Sequence, residues 1–311
     1  MRHYHNLLYI SHGTGDETEG LDQALSLARH NQAPLKVLVV SPEFPKEFPA
    51  YRERYEQSLL EQASASIAAA QSALGLDTDA VRVSVELVSD NTPIITIIKR
   101  VITDGHDLVI KEAEPRDQDG GFKSIDMHLL RKCPAAVWLC RPFRREKKVI
   151  QIAVAIDPGA HEPEAEALSK RMLELSQSLA TKYGGDLHIV SCWDYEFESF
   201  LRGNLWSDIP DTQIIDVVMQ TRGEHRLALD KLIGDAQIGD TAQVHHLRGK
   251  PSELIPDFVS GKNIDILVMG TLARTGIPGF LIGNTAENTV QKLSCSLLAL
   301  KPKGFVSPIK A

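Results

Sequence analysis

The chain of 311 residues carries one order of predicted elements twice. Each half opens with a short apolar strand, continues through alternating helices and strands, and closes with another apolar strand. Two landmarks repeat at the same interval. Pro93 and Pro251, each of which we predict in the first turn of a helix, are 158 residues apart, and so are Asp107 and Asp265. A repeat of about 150 residues has the size of one domain. The sequence therefore predicts two related domains in tandem.

Each half alternates between strand and helix patterns. Such alternation predicts a parallel sheet with helices on both faces. Five strands in each half indicate two flavodoxin-like, doubly wound α/β domains, which we expect over residues 1–143 and 148–303. In sheets of this kind, ligands bind beyond the carboxyl ends of the strands, near the point where the strand order reverses.

Composition argues against several other classes of protein. The net charge is −7, which does not favour a nucleic-acid partner because such proteins need a basic face. Four cysteines are too few for a disulfide scaffold. The longest apolar runs, such as 135–140, are far shorter than the ~18 residues of a membrane helix. We expect no membrane partner and a cytoplasmic protein with reduced thiols.

One glycine-rich loop carries a chemical signal. It follows the predicted fourth strand of the second half and has four glycines between Gly270 and Gly283. Asn284 and Glu287 resemble the capping box of a helix that we predict from 285 to 293. The free amides at a helix start attract anions. From the spacing alone, the loop is either a phosphate site or a connection that serves only the fold.

The loop resembles the nucleotide motif of the universal stress protein family. The family motif consists of Gly, two residues, Gly, nine residues, Gly, and then Ser or Thr. In this chain the motif begins at Gly270, and Ala273 replaces its second glycine. Gly283 and then Asn284-Thr285 complete it. Ala273 adds a methyl group, and Asn284 can still cap and donate. The resemblance covers nearly the whole chain as two tandem domains, similar to the long type E members.

The resemblance implies an adenine-nucleotide site for ATP, with or without Mg²⁺, in the second half. Asp157 would accept hydrogen bonds from the adenine amino group or from ribose hydroxyls. Arg274 could also approach the phosphates. The implied site residues are Ala155, Ile156, Asp157, Cys192, Met269, Gly270, Ala273, Arg274, Gly283, Asn284 and Thr285.

The first half is interpreted as a degenerate copy of this site. We expect Ser11 at the position of Asp157, Lys111 opposite Met269, and Glu112 opposite Gly270. A carboxylate in that place repels phosphate. The sequence therefore predicts that the first half does not bind ATP in the manner of the family.

The resemblance also implies how the domains pair. Family members commonly pair through the last strand of each domain. The two domains would then form an internal pseudo-dimer in which strands near 135–141 and 296–301 meet, and such a contact covers exposed strand edges. A homodimer of two chains is a further expectation.

Three functions remain open from the sequence. The first is a stress-response regulator whose ATP occupancy changes a surface that an unknown protein partner reads. The second is a weak ATP hydrolase, although no catalytic residue stands out. The third is a binder of an apolar or lipid-like metabolite, either in the first half or beneath the aromatic segment from Trp193 to Trp206. His245-His246 lacks a nearby third ligand, so no metal site is predicted.

Overall fold

The computed structural model describes residues 3–13, 18–114, 122, 124–143, 149–159, 162–203, 209–271 and 282–310. The chain forms two compact units, of which the first combines Met1–Lys147 with Cys295–Ala311 and the second is Lys148–Ser294. Strands and helices alternate through both units, so the predicted α/β class is confirmed. The domain limits at 143 and 148 stay a prediction from the sequence.

The strands follow the apolar runs of the sequence closely. They are β1 (Leu7–Ser11), β2 (Leu35–Ser41), β3 (Val83–Ser89), β4 (Leu108–Glu112), β5 (Ala136–Cys140), β6 (Gln151–Ala155), β7 (Asp186–Trp193), β8 (Gln243–Arg248), β9 (Ile266–Gly270) and β10 (Ser296–Leu300). Every residue of β1, β5 and β10 is buried, as expected for strands covered on both faces. Strands β3 and β8 are only partly buried.

The helices lie between these strands. They are α1 (Thr18–Asn31), α2 (Arg52–Ala73), α3 (Pro93–Asp104), α4 (Ser124–Lys132), α5 (Pro163–Tyr183), α6 (Glu198–Gly203), α7 (Asp211–Asp235), α8 (Pro251–Gly261) and α9 (Asn284–Val290), with a 3₁₀ turn at Pro49–Tyr51. The predicted place of Pro93 and Pro251 in a first helical turn is confirmed. Proline fits there because the first amides of a helix have no partner within it.

The first unit is a parallel sheet with one antiparallel addition. Its strand order is β3-β2-β1-β4-β5, and β10 lies antiparallel beside β5. Leu298 pairs with Trp138 at the centre of that antiparallel contact. The predicted meeting of strands near 135–141 and 296–301 is therefore confirmed. The second unit has the parallel order β9-β6-β7-β8.

A buried lysine holds the end of α4. The Nζ atom of Lys301, just after β10, donates to the carbonyl oxygens of Leu130 and Cys133 at 2.6 and 2.7 Å. The ring of Phe305 lies 4.7 Å from the same ammonium. Burial lowers the pKa of Lys301 to about 8. The side chain therefore supplies donors to carbonyls that the end of a helix leaves unpaired.

Replacing Lys301 with methionine is expected to destabilise the first unit. Two buried carbonyls lose their donor, so the free energy of unfolding should fall by about 1–3 kcal/mol. Urea denaturation measures the change. Lys303→Met is the control, because Lys303 is exposed and its loss should change stability by less than about 0.5 kcal/mol. Equal stability of the two variants would contradict this role.

Candidate functional site

The second unit contains a cavity at the carboxyl ends of its parallel strands. Its volume is about 320 Å³, near the lower end of the range for small-molecule sites. Strands β6, β7 and β9 form its floor, α5 and α8 form its walls, and the start of α9 closes one side. The lining residues are Ala155, Ile156, Asp157, Ala165, Leu168, Ser169, Met172, Val190, Cys192, Pro251, Ile255, Met269, Gly270, Thr271, Gly283, Asn284, Thr285 and Ala286.

Most of the residues implied by the sequence meet around this cavity. They are Ala155, Ile156, Asp157, Cys192, Met269, Gly270, Gly283, Asn284 and Thr285. Ala273 and Arg274 lie outside the described residues. That these side chains bind a ligand stays a prediction, but the fold does bring them to one place.

The wall formed by α5 was missed from the sequence. Ala165, Leu168, Ser169 and Met172 all face the cavity from this helix. Their spacing of three, four and seven residues marks one face of an α-helix. The signal was therefore present, but an apolar helical face is the same whether it covers a core or a cavity.

Asp157 supplies the carboxylate of the cavity. It lies two residues beyond β6 and is exposed. One oxygen, Oδ1, accepts a hydrogen bond from the Gly159 amide at 2.9 Å, which closes a tight turn. The described part of the chain offers no donor to the other oxygen. Asp157 can therefore accept hydrogen bonds from a ligand without breaking a contact of its own.

Cys192 forms part of the wall near this carboxylate. Burial and the negative charge of Asp157 together raise the pKa of the thiol to about 11. The side chain is therefore a neutral thiol at physiological pH, and it acts as a small apolar group. All four cysteines of the chain are free, and Cys133, Cys140 and Cys295 are buried.

The predicted cap of α9 is wrong by one residue. The N-cap is Gly283, whose extended backbone precedes the first helical residue, Asn284. The amide of Glu287 donates to the Gly283 carbonyl at 2.8 Å, so the helix starts earlier than predicted and ends at Val290 rather than 293. No capping box can form with Asn284, because it already lies inside the helix.

The amides at the start of α9 are only partly available to a ligand. The Gly283 amide donates to the Thr271 carbonyl at 2.8 Å and is therefore engaged. For the amides of Asn284, Thr285 and Ala286, the described residues supply no acceptor. These three residues line the cavity at the positive end of the helix dipole. The described lining contains no lysine or arginine.

Strand register shows which residues of the first unit correspond to this site. Lys111 pairs with Ile10 between β4 and β1, just as Met269 pairs with Ala155 between β9 and β6. Lys111 therefore takes the place of Met269, as predicted.

The same register corrects one prediction. Counting two residues beyond Ile10 reaches His12, so His12 and not Ser11 corresponds to Asp157. Ser11 still belongs to β1, and its hydroxyl accepts from the Gly13 amide at 2.9 Å. The error has a simple cause, since the exact register of two strands cannot be read from either sequence alone.

In the first unit a buried ion pair fills the corresponding space. The Nζ atom of Lys111 lies 2.9 Å from Oδ1 of Asp126, and the two side chains are 1% and 0% exposed. Asp126 is the third residue of α4, as Ala286 is the third residue of α9.

Glu112 stabilises the first unit through a hydrogen bond to the start of α1. Its Oε2 atom accepts a hydrogen bond from the Gly20 amide at 3.1 Å, in the first turn of α1. A carboxylate at that place satisfies a free amide and the helix dipole. That the first half does not bind ATP stays a prediction.

The remaining candidates from the sequence are mostly structural. Trp193 packs in a small core with Ile214 and Val218, whereas Phe197 and Phe200 are exposed. Trp206 lies outside the described residues. Among the residues that the structure describes, no group of three or more potential ligands is arranged to hold a metal ion. Within the same residues, no helix is both long enough and apolar enough to cross a membrane.

Comparison with known proteins agrees with this architecture. The family model described as "Universal stress protein family" matches residues 3–141 and 151–301. Universal stress protein E of Escherichia coli K12 is 29% identical over 320 aligned positions, which cover 100% of this chain and 98% of that protein. The homologue from Photorhabdus laumondii is 28% identical, with 100% and 99% coverage.

Solved structures show the same fold. A protein of unknown function from Pseudomonas aeruginosa PAO1 has a TM-score of 0.68 at 24% identity, covering 97% of this chain and 94% of that one. A universal stress protein from Archaeoglobus fulgidus has a TM-score of 0.60 at 14% identity, with 96% coverage of both chains. Both units thus have the flavodoxin-like fold. The chain belongs to the universal stress protein family.

The ion pair of the first unit predicts a distinctive pattern of stability. Lys111→Met leaves the Asp126 carboxylate buried without a cation, and the free energy of unfolding should fall by about 3–5 kcal/mol. The double variant Lys111→Met/Asp126→Ala carries the residues found at the same places in the second unit. It should recover most of that loss, because removing both charges also removes their cost of burial.

Chemical denaturation of the three proteins measures this difference. A single variant as stable as the parent protein would refute the buried ion pair between Lys111 and Asp126, and so would a double variant no more stable than the single one.

Proposed function

We propose that the second unit binds an adenine nucleotide, ATP, and that the protein acts as a nucleotide-dependent regulator in the stress response. The observation that supports this proposal best is the carboxylate of Asp157 at the rim of a largely apolar cavity. A nucleoside needs both features, because its base is a flat, weakly polar ring and its ribose carries hydroxyl donors. The family to which the chain belongs supports the role in stress.

The nucleoside would occupy the apolar part of the cavity. Met172, Ile255 and Met269 line it from three different elements. Methionine side chains adapt well to flat rings because they are flexible and polarisable. The free oxygen of Asp157 would then accept a hydrogen bond from the ribose or from the amino group of the base. This bond orients the ligand in the cavity.

The phosphates would lie toward the start of α9. The amides of Asn284, Thr285 and Ala286 would donate to phosphate oxygens, aided by the helix dipole. Arg274 belongs to this proposal as a further cation. Mg²⁺, where it accompanies ATP, would be held chiefly by phosphate oxygens and water, as is common for this ion.

Occupancy of the site would be the regulatory signal. Gly270 and Asn284 flank the glycine-rich loop, and both line the cavity. A ligand that contacts both residues would fix the two ends of that loop together. The surface of the loop would then differ between the free and the bound protein, and a protein partner could read the difference.

Removing the carboxylate is the first test of this function. Asp157→Ala should weaken ATP binding by about 10- to 100-fold, which is the usual contribution of a hydrogen bond to a charged group. Isothermal titration calorimetry measures the dissociation constant. Asp240→Ala removes an equivalent charge from an exposed site away from the cavity and should bind like the parent protein. Equal affinity of all three proteins would count against the proposed site.

The phosphate end is tested by Gly283→Val. Gly283 has a φ of −73°, which any residue can adopt. There is room for a side chain, since the nearest atom to an added Cβ would be the Thr271 carbonyl oxygen at 3.7 Å. Valine should therefore fold normally, but its branched side chain would stand beside the amides that face the cavity. We expect ATP binding to be lost and the melting temperature to stay near that of the parent protein.

Gly239→Val is the matched control, because Gly239 lies in open space and does not line the cavity. Unchanged ATP affinity in Gly283→Val would show that the phosphates do not approach this helix.

A further inference from the structure

Strand β8 presents a histidine on each of its faces, and each is hydrogen-bonded to a second histidine. Nε2 of His245 lies 3.0 Å from Nδ1 of His188, which belongs to β7. Nε2 of His246 lies 2.9 Å from Nδ1 of His225, which belongs to α7. Both β8 side chains are thus tied to neighbouring elements through imidazole–imidazole hydrogen bonds.

The first pair has a fixed direction. The amide nitrogen of Gln151 donates to Oδ2 of Asp186 at 3.0 Å, so its oxygen faces His188, whose Nε2 lies 2.8 Å away. Nε2 of His188 must therefore carry the proton. The neutral ring then offers only a lone pair at Nδ1, and His245 donates to it. This chain of hydrogen bonds crosses from β6 through β7 to β8.

The second pair repeats the same logic. The backbone of Cys192 forms a hydrogen bond with the His225 ring, and a carbonyl there accepts from its N–H. Nδ1 of His225 is then the acceptor for His246. The His246 ring also stacks on Trp193, with ring centres 5.7 Å apart, and on His225 at 5.0 Å. On the other face of the strand, the Phe258 ring covers His245 at 4.6 Å.

The surroundings keep all four rings neutral. Burial is the main cause that lowers the pKa of each. The positive charge of Lys262 also lowers the pKa of His188 and of His245. The carboxylate of Asp186 has the opposite effect on His188. Around the second pair, the charges that face the rings are those of Asp157, Arg222, Arg226 and Asp230.

We propose that the two histidine pairs are a pH-sensitive latch that holds the edge strand β8 on the sheet until acid charges both rings of a pair. One proton is accommodated without breaking the hydrogen bond, because the β8 ring can take it on Nδ1 and still donate from Nε2. A second proton places two N–H groups and two positive charges about 3 Å apart. Among the described strands, β8 pairs with β7 alone, so acid would release a strand that has no second neighbour to hold it.

The direction of the pH effect follows from the lowered pKa values. Above the ordinary histidine pKa of about 6.5, both the folded and the open forms are neutral, and the latch is closed. As the pH falls below that value, the open form binds protons first, and the stability of the closed strand is lost progressively.

Hydrogen–deuterium exchange on the full chain tests the latch. Between about pH 7.5 and pH 5.0, after correction for intrinsic exchange rates, amides of β8 should lose about tenfold or more in protection, because histidines with the ordinary pKa of about 6.5 take up protons in the open form before the closed rings do. Amides of β1 should change little. The double variant His245→Gln/His246→Gln should lose most of this pH response, because a glutamine amide can donate to a neutral ring or turn its oxygen toward a charged one.

His30→Gln, in the first unit, is the control and should keep the full response. The proposal is overturned if β8 and β1 respond alike in the parent protein, or if the double variant responds as the parent does. Histidine ring ¹⁵N shifts of the parent protein provide a second measurement that needs no variant. At neutral pH they should show His188 and His225 uncharged with the proton on Nε2, and charged rings there would equally refute the latch.

Discussion

The parallel pairing of β6 with β9 determines where the candidate site of this protein lies. Parallel strands end at the same edge of a sheet, so the residues that follow β6 and β9 meet although more than a hundred positions separate them in the chain. Asp157 and Gly270 reach one cavity for this reason alone. The helices α5 and α8 then cover the apolar floor and leave the carboxylate at the rim.

The two units show what the same architecture does when its residues change. In the second unit, Met269 and Ala286 are small or flexible enough to leave open space. In the first unit, Lys111 and Asp126 stand at those positions and close the space with a buried ion pair. The ion pair satisfies its own charges inside the fold, at the positions that line the cavity in the second unit.

Much of this could be predicted from the sequence, because the fold depends on patterns that are local. The apolar run of β1 and the prolines that open α3 and α8 stand where the sequence placed them. The confirmed contact of β5 with β10 came from the family resemblance rather than from any local pattern.

What could not be predicted depends on contacts between distant elements. A shift of one residue in register separates His12 from Ser11 as the counterpart of Asp157. The N-cap of α9 is Gly283, whose amide donates to the Thr271 carbonyl, and no local sequence pattern shows this contact. The sequence shows His245 and His246 on opposite faces of a strand, but their partners come from β7 and α7.

The central claim is that one chain offers one nucleotide site, in the second unit. Native mass spectrometry of the intact protein with added ATP counts bound ligands directly. The account predicts a single adenine nucleotide per chain. Two nucleotides per chain would mean that the filled first unit also binds, and a chain that retains no nucleotide but carries an apolar molecule in its place would contradict the account altogether.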